Sequence, residues 1–252
     1  MSTGEARRVC VITGAGGKLG NAFCKQYAAD YDIVAVCRTR VPGVPSQFES
    51  YVDPLAVDDS SANANRVFVV MSDLAKPGEA DRVVDLVLAR YDGVDLVVNN
   101  AAETAFHPAG LVDNDAAFAD FDRFFKVNVS VPAQFGALFA RKFWTSRAHE
   151  NRERNRNIVN VSSLSGNRVY PGGGQAVYAS SKAALNHMTR YMAQEFEAFG
   201  VRVNGLAPTA FPAQVSSETV ADAVVRLDRE SVTGKILVVD REPQPSGDGA
   251  SS

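Results

Sequence analysis

Cysteine, histidine and net charge are all scarce in this sequence, and each scarcity excludes something. Its 252 residues hold three cysteines, Cys10, Cys24 and Cys37, set in apolar runs without metal-ligand spacing. That odd number argues against a disulfide scaffold, and the expectation is small, reduced, buried thiols in a cytoplasmic protein. The three histidines, His107, His149 and His187, have no partner at ligand spacing, so none is assigned to a metal or to catalysis. A formal net charge of -3 gives no electrostatic footprint for nucleic acid or for an anionic membrane surface. No apolar run approaches the ~18 residues of a membrane span. The polar start Met1 to Arg8 meets a strand directly, with no leader pattern. Small molecules and copies of the chain itself remain as the expected partners.

What is present is an ordinary globular composition, 46% hydrophobic and 22% charged, over a length that fits one α/β domain. Residues 1–242 are read as that domain, and 243–252 as a tail lacking anything able to order it. Seven short β-branched runs read as strands: Arg8–Thr13, Ile33–Cys37, Arg66–Met71, Val94–Val98, Ile158–Val161, Val201–Leu206 and Gly234–Asp240. Helical patterns alternate with them. The clearest are Glu79–Arg90, with Val83, Val84, Val87 and Leu88 as its stripe, and Val177–Phe199, with Leu185, Met188, Met192, Phe196 and Phe199. Phe118–Trp144 reads as an aromatic-rich helix kinked at Pro132, Val41–Asn65 as an extended loop with or without a short helix in it, and the mixed charges of Arg147–Arg156 as a solvated loop. The alternation predicts a three-layered, Rossmann-type doubly wound parallel sheet, with ligands at the carboxyl ends of its strands.

The polar motifs fall at those ends. Thr13 to Gly20 joins the first strand to a helix with glycines at 14, 17 and 20. That context suits a dinucleotide phosphate: Gly14 for the tight turn, a second glycine for close backbone approach, Gly20 for helix-on-strand packing, and the helix N-terminus facing the anion. The second strand ends in Arg38-Thr-Arg40, with Lys18 nearby, where an NAD-preferring site would place an acidic residue. Two guanidiniums there suit a 2′-phosphate; solvated surface arginines are the alternative. Asp73 reads either as an acceptor for an adenine amine or as a helix N-cap. Asn99-Asn-Ala-Ala102 suits a backbone corner close to a ligand. Asn128 lies four residues before Pro132, at the carbonyl that proline would leave unpaired, and reads as structural or as presenting polar groups to a water chain.

Tyr178 and Lys182 are one helical turn apart, so phenol and ammonium share a face. A cation held beside a phenol lowers its pKa from ~10, giving a proton donor and acceptor usable near neutral pH.

Thr13-Gly14 with Gly20, Asp73-Leu74, Asn99-Asn-Ala-Ala102, Asn128, Ser163, Tyr178 and Lys182 together make residues 8–241 resemble the short-chain dehydrogenase/reductase family. The resemblance implies a carbonyl/alcohol substrate, an NADP(H) or NAD(H) cofactor and a catalytic set of Asn128, Ser163, Tyr178 and Lys182. In it Tyr178 protonates the carbonyl oxygen, Ser163 hydrogen-bonds the same oxygen, Lys182 lowers the Tyr178 pKa and binds the nicotinamide ribose, and Asn128 holds a relay water. Ser163 is preferred because Ser163 to Gly166 matches the family's Ser-x-x-Gly turn; Ser162 and Ser165 are the alternatives. The cofactor set expected from the motifs and the resemblance together is Gly14, Gly17, Lys18, Leu19, Gly20, Arg38, Arg40, Asp73, Leu74, Asn100, Ala101, Tyr178, Lys182, Pro208 and Thr209, with NADP favoured by the arginines. A homotetramer or homodimer is expected from the same resemblance and from the surplus of apolar residues on two helices.

Three departures stand out. Lys18 occupies the place of the family's frequent middle glycine, Pro208-Thr209 replaces Pro-Gly, with a very short segment Ala210 to Ser217 after it, and Asp240-Arg-Glu242 replaces Asp-Gly-Gly. An epimerase or dehydratase on this fold, or a nucleotide-binding regulator with a vestigial site, are the competing functions.

Overall fold

The structure, a computed structural model, describes residues 7–48, 67–112, 114–171 and 173–241. The expected tail and most of the Val41–Asn65 segment lie outside the described residues.

In chain order the elements are β1 (Arg8–Thr13), α1 (Lys18–Tyr27), β2 (Tyr31–Cys37), β3 (Ser46–Phe48), β4 (Val67–Met71), α2 (Glu79–Tyr91), β5 (Leu96–Asn99), α3 (Asn114–Ala119), α4 (Phe121–Phe125), α5 (Val131–Phe139), α6 (Ala148–Glu153), β6 (Asn157–Val161), α7 (Ala176–Phe196), β7 (Arg202–Pro208), α8 (Ser217–Arg229) and β8 (Ile236–Val239). All pairings in the sheet are parallel, in the order β3-β4-β2-β1-β5-β6-β7-β8. The order reverses direction at β1, whose neighbours are β2 and β5. A crevice opens above the strand ends at such a switch point, which is where ligands bind in doubly wound sheets.

Both sheet faces are covered, so the strands read as continuous apolar runs. Alternate residues of one strand serve opposite faces: Val11 packs with α2, α5 and α7 (Val84, Phe135, Phe196), while Cys10 and Ile12 pack with α1 and α8 (Phe23, Val224). All three cysteines are free and buried.

Three expectations need correction. The segment after β2 contributes an eighth strand: Ser46–Phe48 pairs with β4 at the sheet edge. Three residues are too few for a period-2 pattern to declare itself. The Phe118–Trp144 stretch is not one kinked helix but a succession of α4, a π-helical segment Lys126–Ser130, α5 and a second π-helical segment Ala140–Trp144. Pro132 stands in the first turn of α5, where its missing N–H costs least.

The third correction concerns the charged run, which is a helix and a buried ion cluster rather than a solvated loop. Arg156 is 4% exposed, and its guanidinium reaches Asn151 Oδ1 at 2.7 Å, Asp95 Oδ1 at 3.3 Å and the Glu150 carboxylate. Arg154 Nη2 binds Asp95 Oδ2 at 2.6 Å. Burial pushes the Asp95 carboxyl up, but hydrogen bonds from Arg154 and the Val9 N–H, with the charges of Arg154 and Arg8, hold it below the carboxylate range. Mixed signs in sequence described mutual partners, not solvation.

Candidate active site

A cavity of about 610 Å³ runs along the carboxyl ends of the strands on either side of the switch point. Its floor at one end is the glycine loop. Gly14 has φ +63°, and a Cβ there would lie 2.9 Å from the Ala101 Cα, so both conformation and space require glycine. Thr13 Oγ1 accepts from the Asn100 and Ala101 N–H groups, and Asn100 Nδ2 donates to the Thr13 and Gly14 carbonyls, which ties the end of β5 to the loop. Gly17 precedes α1 without any side-chain cap, so the first N–H groups of the helix meet the cavity with no side-chain acceptor.

Lys18, Leu19, Arg38, Arg40, Asp73, Leu74, Asn100, Ala101, Pro208 and Thr209 all line the cavity with Gly14 and Gly17. Gly20 does not. It packs against β1's continuation, where a Cβ would lie 2.4 Å from the Ala15 Cα. Asp73 caps neither helix end: Gly78 precedes α2, and Asp73 Oδ1 accepts from the Ala75 N–H at 3.2 Å in a local turn. Arg38 Nη1 lies 2.6 Å from Glu103 Oε1, so it is no isolated surface cation.

At the other end Ser163, Tyr178 and Lys182 converge. Ser163 is extended at the entry to a 3₁₀ turn, Leu164–Gly166, and its Oγ accepts from the Ser165 N–H at 3.2 Å. The alternative serines are otherwise engaged: Ser162 Oγ donates to the Lys182 carbonyl at 3.1 Å, and Ser165 Oγ to Gln175 Oε1 at 2.8 Å. Lys182 is 2% exposed, donates from Nζ to the Val161 carbonyl at 2.8 Å and stands 5.8 Å from the centre of the Tyr178 ring. Burial lowers its pKa from 10.5 to about 8. The expected lowering of the Tyr178 pKa is not met in the protein alone: burial pushes the phenol up, and the hydrogen bond with Ser163 only opposes this. The Val161 carbonyl takes one of the three N–H groups of the ammonium.

Asn128 stands behind the other three. It sits 1% exposed in the first π-helical segment, outside the cavity lining. Its Oδ1 accepts from the Glu103 N–H at 2.9 Å, and its Nδ2 donates to the Glu103 carbonyl at 3.1 Å and to Ser181 Oγ at 2.9 Å. With both N–H bonds used, the side chain fixes the Glu103 backbone.

Sequence reasoning missed Glu103, Phe106, Gln175 and Phe211, all of which line the cavity. Glu103 carried a signal, being an acid placed directly after Asn99 to Ala102 and opposite an arginine-ended strand. The other three did not. Among the described residues no cluster of three or more His, Cys, Asp or Glu could hold a metal, and no helix is long and apolar enough to cross a membrane.

Residues 8–223 match the short chain dehydrogenase family. The chain is 30% identical over 233 residues to L-xylulose reductase of Mesocricetus auratus, a match covering 91% of this chain and 83% of that protein. It is 29% identical over 206 residues to the uncharacterised oxidoreductase YuxG of Bacillus subtilis, covering 81% of this chain but 27% of YuxG. Two further curated relatives are spanned to 52% and 64% of their length. In structure it resembles an oxidoreductase of the short chain dehydrogenase/reductase family from Brucella ovis, solved with a partially ordered NAD, at a TM-score of 0.67, 23% identity, and coverage of 93% of this chain and 100% of that one. The chain belongs to the short-chain dehydrogenase/reductase family.

Proposed function

We propose that the protein is an NADP(H)-dependent oxidoreductase that interconverts a ketone or aldehyde with its alcohol, with Tyr178 as general acid and base. One observation carries the reading: Ser163, Tyr178 and Lys182 share a single cavity with an uncapped helix N-terminus and a glycine loop. The cavity fits a dinucleotide, since a Cβ at Gly17 would meet only the Gly14 carbonyl, at 3.1 Å, and the surface beside the orphan N–H groups is bare backbone. Gly14, Gly17, Lys18 and Leu19 would hold the pyrophosphate, Arg38 and Arg40 the 2′-phosphate, Asp73 and Leu74 the adenine, and Asn100, Ala101, Lys182, Pro208 and Thr209 the rest.

When bound, the nicotinamide supplies hydride to the carbonyl carbon. The chain's own part is to meet the negative charge developing on oxygen. Tyr178 donates its proton there, and Ser163 orients that hydroxyl and offers a second hydrogen bond. Lys182, with a pKa near 8, is an ammonium at neutral pH, and a positive charge beside the phenol stabilises the phenolate that proton donation leaves. Asn128 is a positioning residue that sets the Glu103 backbone beside the cleft. The supply of NADPH in a reducing cytoplasm favours reduction. Phe106 and Phe211 give apolar walls, and the short Ala210 to Ser217 link suits an extended or bulky carbonyl compound. The test is NADPH oxidation, followed by absorbance, against carbonyl compounds of increasing size. Oxidation with none of them, in protein that binds NADPH, would refute the activity.

A further inference from the structure

The Arg38–Glu103 pair joins the ends of β2 and β5, which flank β1, so it crosses the cleft above the glycine loop. Both residues line the cavity. The two partners are not equally free to move. Glu103 is fixed at both its N–H and its carbonyl by the buried Asn128, and its side chain is 22% exposed; the Arg38 side chain is 50% exposed. A second guanidinium approaches from the other side, with Arg123 Nε and Nη2 each 2.8 Å from the same Glu103 Oε1. One carboxylate oxygen therefore serves two arginines, and it keeps a partner if Arg38 leaves.

We propose that Glu103 is an internal competitor for the cofactor's 2′-phosphate: it holds Arg38 in the cofactor-free protein, and thereby sets how strongly NADP(H) is preferred over NAD(H). The inference rests on the assignment of Arg38 to the 2′-phosphate. A phosphate dianion is the stronger partner for the planar guanidinium fork, so it displaces the carboxylate, and Arg123 retains Glu103 without a stranded charge. Each 2′-phosphate bound must first break the Arg38–Glu103 contact, whereas a ribose 2′-hydroxyl leaves it in place. Glu103 thus lowers affinity selectively for the phosphorylated cofactor, by the worth of a half-exposed ion pair.

The test needs no turnover. Calorimetric titration of the full chain with adenosine 2′,5′-bisphosphate and with adenosine 5′-monophosphate isolates the 2′-phosphate as the ratio of the two affinities. Glu103→Gln should raise that ratio roughly two- to fivefold, the range of an exposed pair. Arg123→Ala should lower it, because the carboxylate then belongs to Arg38 alone. Arg38→Ala should bring the ratio down towards one. A ratio unchanged in Glu103→Gln while Arg38→Ala lowers it would overturn the competition alone. A ratio unmoved by Arg38→Ala would overturn the NADP(H) assignment and the competition with it.

Discussion

Lys182 should make the cofactor-free protein more stable as pH rises above 8, and the size of the effect follows from its burial. Its pKa in the fold is about 8 against an ordinary 10.5, and desolvation is the cause. Between these two values the unfolded chain binds a proton that the folded chain has released, so stability rises with pH there. Below pH 8 both states are protonated and the full penalty is present; above 10.5 both are neutral and it is gone. At 1.36 kcal/mol per pKa unit the difference amounts to roughly 3 kcal/mol. Lys182→Met removes the titration and also the hydrogen bond to the Val161 carbonyl, a loss that does not vary with pH. The offset between wild type and variant is therefore uninformative, while its pH dependence is clean, because every other titrating group is common to both. Urea unfolding from pH 7 to 10.5 should show the wild type gaining on the variant by about 2 to 3 kcal/mol. A difference that is flat with pH would refute the account of Lys182 as a desolvated ammonium.

Three further outcomes are expected. Titration of NADPH and NADH should show the wild type preferring NADPH, and Arg38→Ala should weaken NADPH binding by roughly 1.5 kcal/mol, the low end for a charge-assisted contact because Arg38 is half exposed; equal dissociation constants in the wild type would count against NADP(H). Asp95→Asn should destabilise the fold by about 3 kcal/mol, by stranding the buried Arg156 and weakening the Arg154 contact, and since the Asp95 carboxyl is held low, its contribution should persist at neutral pH and fade as pH drops through that lowered value, which acid titration of wild type against variant would read. Light scattering should give a dimer or tetramer, because Phe118 and Tyr191 leave large apolar surface in water, at 51% and 55% exposure; a 27.0 kDa monomer at micromolar concentration would be decisive against it.

The fold was legible wherever a strand was long enough to be an apolar run. β1, β2 and β4 to β8 all follow from such runs alternating with helical stripes, because strands buried on both faces are apolar throughout, whereas the strand order that puts the switch point at β1 is a property of the assembled sheet. Short pairing and mutual charge neutralisation were not legible. Ser46–Phe48 is a strand only because β4 offers it an edge, and Arg156 is buried only because Asp95, distant in sequence, lies beneath it. The site divided in the same way. Glycines and the Tyr178–Lys182 spacing carry their meaning locally, whereas the contacts of Asn128 and Glu103 join residues 25 apart. The Tyr178 pKa follows the same division: helical spacing puts a cation on the same face, but burial, which pushes the phenol up, is a property of the packed site.

Single-turnover hydride transfer from NADPH in Tyr178→Phe tests the central claim most directly. The substitution keeps the ring and its edge-on contact with Phe106, at 6.0 Å between centres, and removes the transferable proton. The rate should fall by ~10²- to 10⁴-fold, the share of positioned acid catalysis, while NADPH binds as in the wild type. Transfer at the wild-type rate would contradict the assignment of Tyr178 as the acid.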